Sequence, residues 1–131
     1  MLAYLDKAPL ELDRPARLCL AALRLWSLAM RDRRCPINEL RDLFTRVDAH
    51  GAIWPAHNLF WCVAFHARRP LHLGCPCCGR VSDDEATLLT AILADGAAQS
   101  EIALADLIES AGKTQARRFA AALAAELRKT N

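Results

Sequence analysis

Between Leu18 and Met30 the chain is apolar around most of a helical circumference, through Leu18, Cys19, Leu20, Leu23, Leu25, Trp26, Leu28 and Met30. A helix with so little polar surface belongs inside a fold, surrounded by other elements. The charges along it, Arg17, Arg24 and Arg31, recur at seven-residue intervals and share one narrow stripe. The pattern predicts a central helix wet along a single edge. Asp13 is placed to cap its start and Pro15 suits its first turn, while Cys35-Pro36 ends it.

The remaining segments follow the same period. Ile37, Leu40, Leu43, Phe44 and Val47 predict a second helix from Pro36 or Ile37 to about Ala49, with Gly51 after His50 supplying a left-handed stop. A third helix starts near Pro55 and ends before Pro70, carrying Leu59, Phe60, Trp61, Val63 and Phe65. Residues 70–82 have no period and read as a structured loop. Ser82-Asp83-Asp84-Glu85 is a capping box that opens a fourth helix, through Leu93, stopping at Asp95-Gly96. A fifth helix runs from about Ser100 to Ser110, closed by Gly112. Thr114 is set to cap a sixth, Gln115 to about Arg128, whose alanines allow close helix contact. No segment alternates with period two. The expected fold is all-α: a compact bundle of about six helices in one domain, 1–131, with a metal-stabilised loop between the third and fourth.

Composition agrees. Hydrophobic residues make up 53% of the 131, enough for a core, and leucine, alanine and arginine outweigh the β-branched residues. Met1 to Leu5 runs straight into Asp6 and Lys7 without the form of a signal peptide, and the longest apolar stretch is broken by Arg24. A cytoplasmic protein without membrane contact is the expectation. In that compartment clustered cysteines point to metal or redox chemistry, not to disulfides.

Such a cluster stands at Gly74-Cys75-Pro76-Cys77-Cys78-Gly79, where three of the six cysteines fall within four residues. It contains C-P-x-C-G, the form of one knuckle of a zinc ribbon, with Gly79 expected to let the backbone fold back toward the sulfurs. Four ligands are needed. Cys62 and His66, one turn apart on the third helix, complete a C-x3-H-x8-C-x2-C set with Cys75 and Cys78. His72, Cys77 and His57 are the alternative ligands. Zinc is the expected ion. An iron–sulfur cluster on Cys62, Cys75, Cys78 and either Cys35 or Cys19 is the second candidate. Cys77, left over and beside a helix start and Arg80, is the expected reactive thiol, with a lowered pKa.

Other signals are weaker. Arg17, Arg24 and Arg31 form a basic edge for an anion or an acidic partner, though a solvated edge explains them more simply. Trp54 and Trp61 suggest core packing more than a pocket. The last two helices resemble a helix-turn-helix only loosely. Phosphate-binding glycine loops, H-E-x-x-H and G-x-S-x-G are absent from the sequence, so nothing points to an enzyme. The leading expectation is a zinc-binding regulatory or adaptor module that contacts another protein, with self-association as a homodimer also open. A thiol-based redox or metal sensor using Cys77 comes second, and a nucleic-acid-binding regulator third.

Overall fold

The computed structural model describes residues 3–130; Met1 and Leu2, the start of the segment expected not to form a signal peptide, and Asn131 lie outside the described residues. The architecture is all-α. Its helices are α1 (Arg14–Arg31), α2 (Pro36–Arg46), α3 (Ile53–His66), α4 (Asp83–Leu93), α5 (Ala97–Leu107) and α6 (Lys113–Arg128). Short 3-10 turns lie at Pro9–Glu11, His50–Ala52 and Ser110–Gly112. Among the described residues there is no strand, only an isolated antiparallel bridge between Ala67 and Ile108.

Local signals set most of these boundaries. The Asp13 carboxylate accepts from the Ala16 N–H at 3.0 Å and starts α1, with Pro15 in the first turn. Ser82 and Glu85 form the reciprocal capping box of α4: the Glu85 N–H donates to Ser82 Oγ at 3.2 Å, and the Ser82 N–H to Glu85 Oε1 at 2.9 Å. Three expected caps differ: Gly112, expected to close a fifth helix running to Ser110, instead caps α6, because α5 ends at Leu107 with Ile108 as its C-cap. The left-handed residue after α2 is Asp48, at φ 57°, and no glycine has positive φ. Aspartate tolerates that conformation, so the chain turns three residues before Gly51. Thr114 lies inside the first turn of α6, whose N-cap is Gly112.

The core is a continuous apolar cluster drawn from all six helices, with Leu20, Leu40, Phe44, Leu59, Phe60, Leu88, Leu89, Leu107, Leu123 and Leu127 essentially inaccessible. Burying one such side chain contributes about 1.5–3 kcal/mol. The most enclosed element is α4 rather than α1: every residue from Asp84 to Leu93 is buried. It lies against α1, α5 and α6, and its threonines remain satisfied because Thr87 and Thr90 donate to the carbonyls of Asp83 and Ala86. Core packing does not account for Trp54 and Trp61, which are 55% and 51% exposed. The inner face of α3 is already filled by Ile53, Ala56, Leu59, Phe60 and Val63, which leaves both indoles outside. Among the described residues no helix is long and apolar enough to cross a membrane.

Candidate functional site

The chain between α3 and α4 has no regular structure, so its backbone groups need partners elsewhere. The first stretch is tied to α5: Arg68 N–H donates to the Leu107 carbonyl at 3.0 Å, and Glu109 N–H to the His66 carbonyl at 2.9 Å. The next is held by Asp84, which pairs twice with Arg69 (2.8 and 3.0 Å) and accepts from the His72 N–H. Burial works to raise the Asp84 carboxyl, but these bonds outweigh it and hold the group below its usual value.

The cysteine run is held by a buried ion pair. Arg24, 2% exposed in the middle of α1, meets Glu85, fully buried in the first turn of α4. Arg24 donates from Nε to Glu85 Oε2 at 2.8 Å and from Nη2 to Oε1 at 3.0 Å. Its remaining reach goes to the loop, Nη1 to the Cys78 carbonyl and Nη2 to the Arg80 carbonyl, both at 2.8 Å. Glu85 Oε2 accepts in turn from the Gly74 N–H at 2.9 Å. The pair therefore grips both sides of the thiol turn and joins it to α1 and α4. Desolvation favours neutral Glu85, yet hydrogen bonds from Arg24, Ser82 and Gly74 keep its carboxyl below the ordinary range. Among the described residues no buried side-chain polar atom lacks a partner. Gly74 fits a close approach: a Cβ there would stand 3.1 Å from both Arg24 Nη2 and Cys78 Cβ. Gly79 has no such constraint, with open space at its Cβ position and no positive φ, so the fold-back expected of it is not what shapes the turn.

Cys75 to Cys78 form a tight turn closed by the Cys78 N–H donating to the Cys75 carbonyl at 3.0 Å. Within it Cys75 Sγ lies 3.1 Å from Cys77 Sγ and 3.1 Å from Cys78 Sγ. Hydrogen bonds from the Cys77 thiol and then the Cys78 thiol, with the Cys77 N–H, bring the Cys75 thiol down to about 7. The Cys77 thiol moves the other way, raised because it donates to Cys75 and faces its charge. The thiolate character expected at Cys77 thus falls on Cys75, the sulfur that both neighbours can reach. Two sulfurs on one tetrahedral zinc, each about 2.3 Å from it, stand about 3.8 Å apart. The separations seen here are closer and are contacts between thiols.

The other cysteines and histidines work elsewhere. Cys62 and His66 do share one face of α3, but that face meets the turn before α6. Cys62 Sγ donates to the Gly112 carbonyl at 3.6 Å, and a Cβ on Gly112 would stand 2.4 Å from the His66 ring. Burial raises the Cys62 thiol. His57 Nδ1 accepts from the Trp26 indole N–H at 3.1 Å, and desolvation lowers its pKa. His72 is exposed in the loop, where its carbonyl accepts from Ser82 Oγ. Cys19 is buried in α1, its thiol pushed up to about 12 by desolvation, and Cys35 is exposed at the start of α2. Among the described residues no three His, Cys, Asp or Glu side chains are grouped to hold a metal ion.

The arginine stripe of α1 is divided by its surroundings: Arg31 is exposed, Arg17 half-buried and Arg24 enclosed. Arg24 is not on a wet edge, because the loop and the start of α4 close over it. On α6, Arg117 is matched by Glu101 and Lys129 by Glu126. Glu85 and Asp84 are site residues that the capping-box pattern marks only as the start of a helix. Their signal was a lone arginine in an apolar helix together with more acids than one helix start needs. No known protein family, curated protein or solved structure matches this chain.

Proposed function

We propose that this chain is a small non-enzymatic thiol redox sensor whose working group is the Cys75–Cys77–Cys78 turn. The observation that supports this reading is the convergence of three sulfurs at 3.1 Å on a partly exposed turn. The step is thiol–disulfide exchange with an external disulfide. The Cys75 thiolate attacks one sulfur of that disulfide and forms a mixed disulfide; the displaced sulfur leaves as a thiolate and takes up a proton. Cys78 or Cys77, having given its proton to water, then attacks the Cys75 sulfur and expels the second thiol. Two cysteine thiols are oxidised to one disulfide and the external disulfide is reduced to two thiols. The Cys78 carbonyl, held by Arg24, offers the route by which the change reaches α1 and α4.

Equilibration in graded glutathione buffers, followed by acid quench, alkylation and mass analysis, tests this. The alkylated Cys75–Cys78 segment should carry two fewer alkyl groups at oxidising than at reducing poise. Cys75→Ser should abolish that change, and the Cys77→Ser and Cys78→Ser variants should each retain it. Thiols that stay reduced even at about −180 mV, an oxidising cellular poise, would defeat the proposal.

A zinc-binding adaptor is the second reading, favoured by one observation: Cys75 and Cys78 sit on opposite ends of a single closed turn, as in a metal knuckle. Since Cys62 and His66 face Gly112, the remaining ligands would come from His72 or Cys77 or from a partner protein. About one zinc per chain after anaerobic purification, lost in Cys78→Ser, would favour this reading over the sensor.

A further inference from the structure

Cys77 Sγ and Cys78 Sγ lie at the same 3.1 Å from Cys75 Sγ, so proximity alone does not choose which of them completes a disulfide. The side of approach does. The Cys75–Cys78 contact is partly buried, whereas Cys77 and its contact with Cys75 are exposed. Displacement at sulfur runs in line, the attacking thiolate arriving opposite the sulfur that leaves. An external disulfide meets Cys75 from solvent, so its second sulfur leaves toward solvent. The attacker then has to stand on the protein side, where Cys78 is, and not on the open side with Cys77.

Backbone support points the same way. The Cys78 N–H donates to the Cys75 carbonyl at 3.0 Å, and the Cys78 carbonyl accepts from Arg24 Nη1 at 2.8 Å. Among the described residues neither the N–H nor the carbonyl of Cys77 pairs with another backbone group. A nucleophile already held in place gives up little freedom as it reacts. Chain geometry adds a third reason. A tight turn brings its end Cα atoms within about 7 Å, close to the roughly 4.4–6.8 Å of an unstrained disulfide. A Cys75–Cys77 bridge would span only Pro76, whose ring fixes φ and leaves fewer rotations to meet that geometry.

We infer, resting on the redox reading of this turn, that Cys78 is the resolving thiol, that Arg24 positions it, and that Cys77 stays reduced. The Cys78 thiolate, its proton having gone to water, attacks the Cys75 sulfur of the mixed disulfide. The Cys75–Cys78 bond forms and the bond from Cys75 to the external sulfur breaks; that sulfur leaves as a thiolate and takes up a proton. The new bond draws together two sulfurs now 3.1 Å apart. It acts on the residue whose carbonyl Arg24 holds, and Arg24 is itself fixed to Glu85 by two bonds.

The test treats the full chain with glutathione disulfide, quenches in acid, blocks remaining thiols with a maleimide and locates the label by fragment masses. Within the turn, label on Cys77 should exceed label on Cys78 by at least about tenfold. The glutathione adduct on Cys75 should persist at least about tenfold longer in Cys78→Ser than in Cys77→Ser. In the Arg24→Met, Glu85→Leu double variant the label should divide between Cys77 and Cys78, a change of partner that lost stability alone does not produce. Should far-UV dichroism show that variant unfolded, Arg24→Lys carries the same test, since one ammonium cannot replace the guanidinium fork. Label mainly on Cys78, or shared equally in the wild type, overturns the choice of Cys78 and leaves the redox reading standing. A preference for Cys77 label that survives in the folded Arg24 variants overturns the role of Arg24. Absence of any disulfide overturns the redox reading, and this inference with it.

Discussion

Cys62 and Cys75 are the same side chain in opposite circumstances. Cys62 lies inside the α3–α6 contact, its sulfur on the Gly112 carbonyl, its thiol raised by burial. Cys75 lies on the turn between α3 and α4, approached by two other thiols and brought down to about 7. One sulfur packs helices; the other is partly exposed beside two more sulfurs. What separates them is backbone support. α3 carries Cys62 through its own hydrogen bonds, whereas the Cys75 turn depends on Arg24 and Glu85. Sulfur can be exposed and close to other sulfurs here because a buried charge pair holds the irregular chain that presents it.

The strongest way to break this contrast is to remove half of the pair. Glu85→Ala leaves Arg24 buried without a counter-charge and should cost about 3–5 kcal/mol by urea unfolding. The Arg24→Met, Glu85→Leu double variant should recover much of that stability while leaving the turn unanchored. If the double variant retains both stability and the selective reactivity of Cys75, the clamp does not hold the turn.

The packing side of the comparison is tested at Gly112. Gly112→Ala drives a methyl group into the His66 ring and should cost about 1–3 kcal/mol, the usual range for overpacking. Labelling of Cys75 should be unchanged in that variant, since the two regions share no contact that the substitution alters. A change there would show that they are coupled.

Acid pH should reach the clamp before the packing contact. Asp84 and Glu85 are both held below their usual carboxyl values in the folded state. Their stabilisation is therefore full above the ordinary carboxylate range, near about pH 4, and is lost as pH falls through the folded values. Urea midpoints measured down the acid limb should fall for the wild type, and the gap between wild type and Glu85→Gln should narrow.

The smallest effect on stability is expected at the site itself. Cys75→Ser, on a partly exposed turn, should change stability by no more than about 0.5 kcal/mol. It should nevertheless remove the fastest-labelling thiol. In the wild type, alkylation of that thiol should rise through about pH 7, while Cys62 and Cys19 react only after unfolding.

The helices were legible because their signals are local. Asp13, Pro15 and the Ser82–Glu85 box act within one turn, and the apolar period of each segment needs no distant partner to be read. The sulfur turn was legible for the same reason, from four adjacent residues. The shared face of Cys62 and His66 followed from helical geometry, but the element covering that face did not. That it meets the turn before α6, and not the cysteine turn, depends on where Gly112 lies, 50 residues from Cys62. Likewise Trp54 and Trp61 could have faced inward until Leu59, Phe60 and Val63 were seen to occupy the core.

Sequence alone determined that the chain is helical, where α1 and α4 begin, and that three thiols lie together on a glycine-bounded bend. Tertiary structure decided that Arg24 is enclosed, that Glu85 answers it across 61 residues, and that Trp54 and Trp61 are left outside. Periodicity states which side chains share a face; it carries no information about what closes over that face. That depends on how six helices stack around one core, where a buried charge survives only if another segment brings its counterpart.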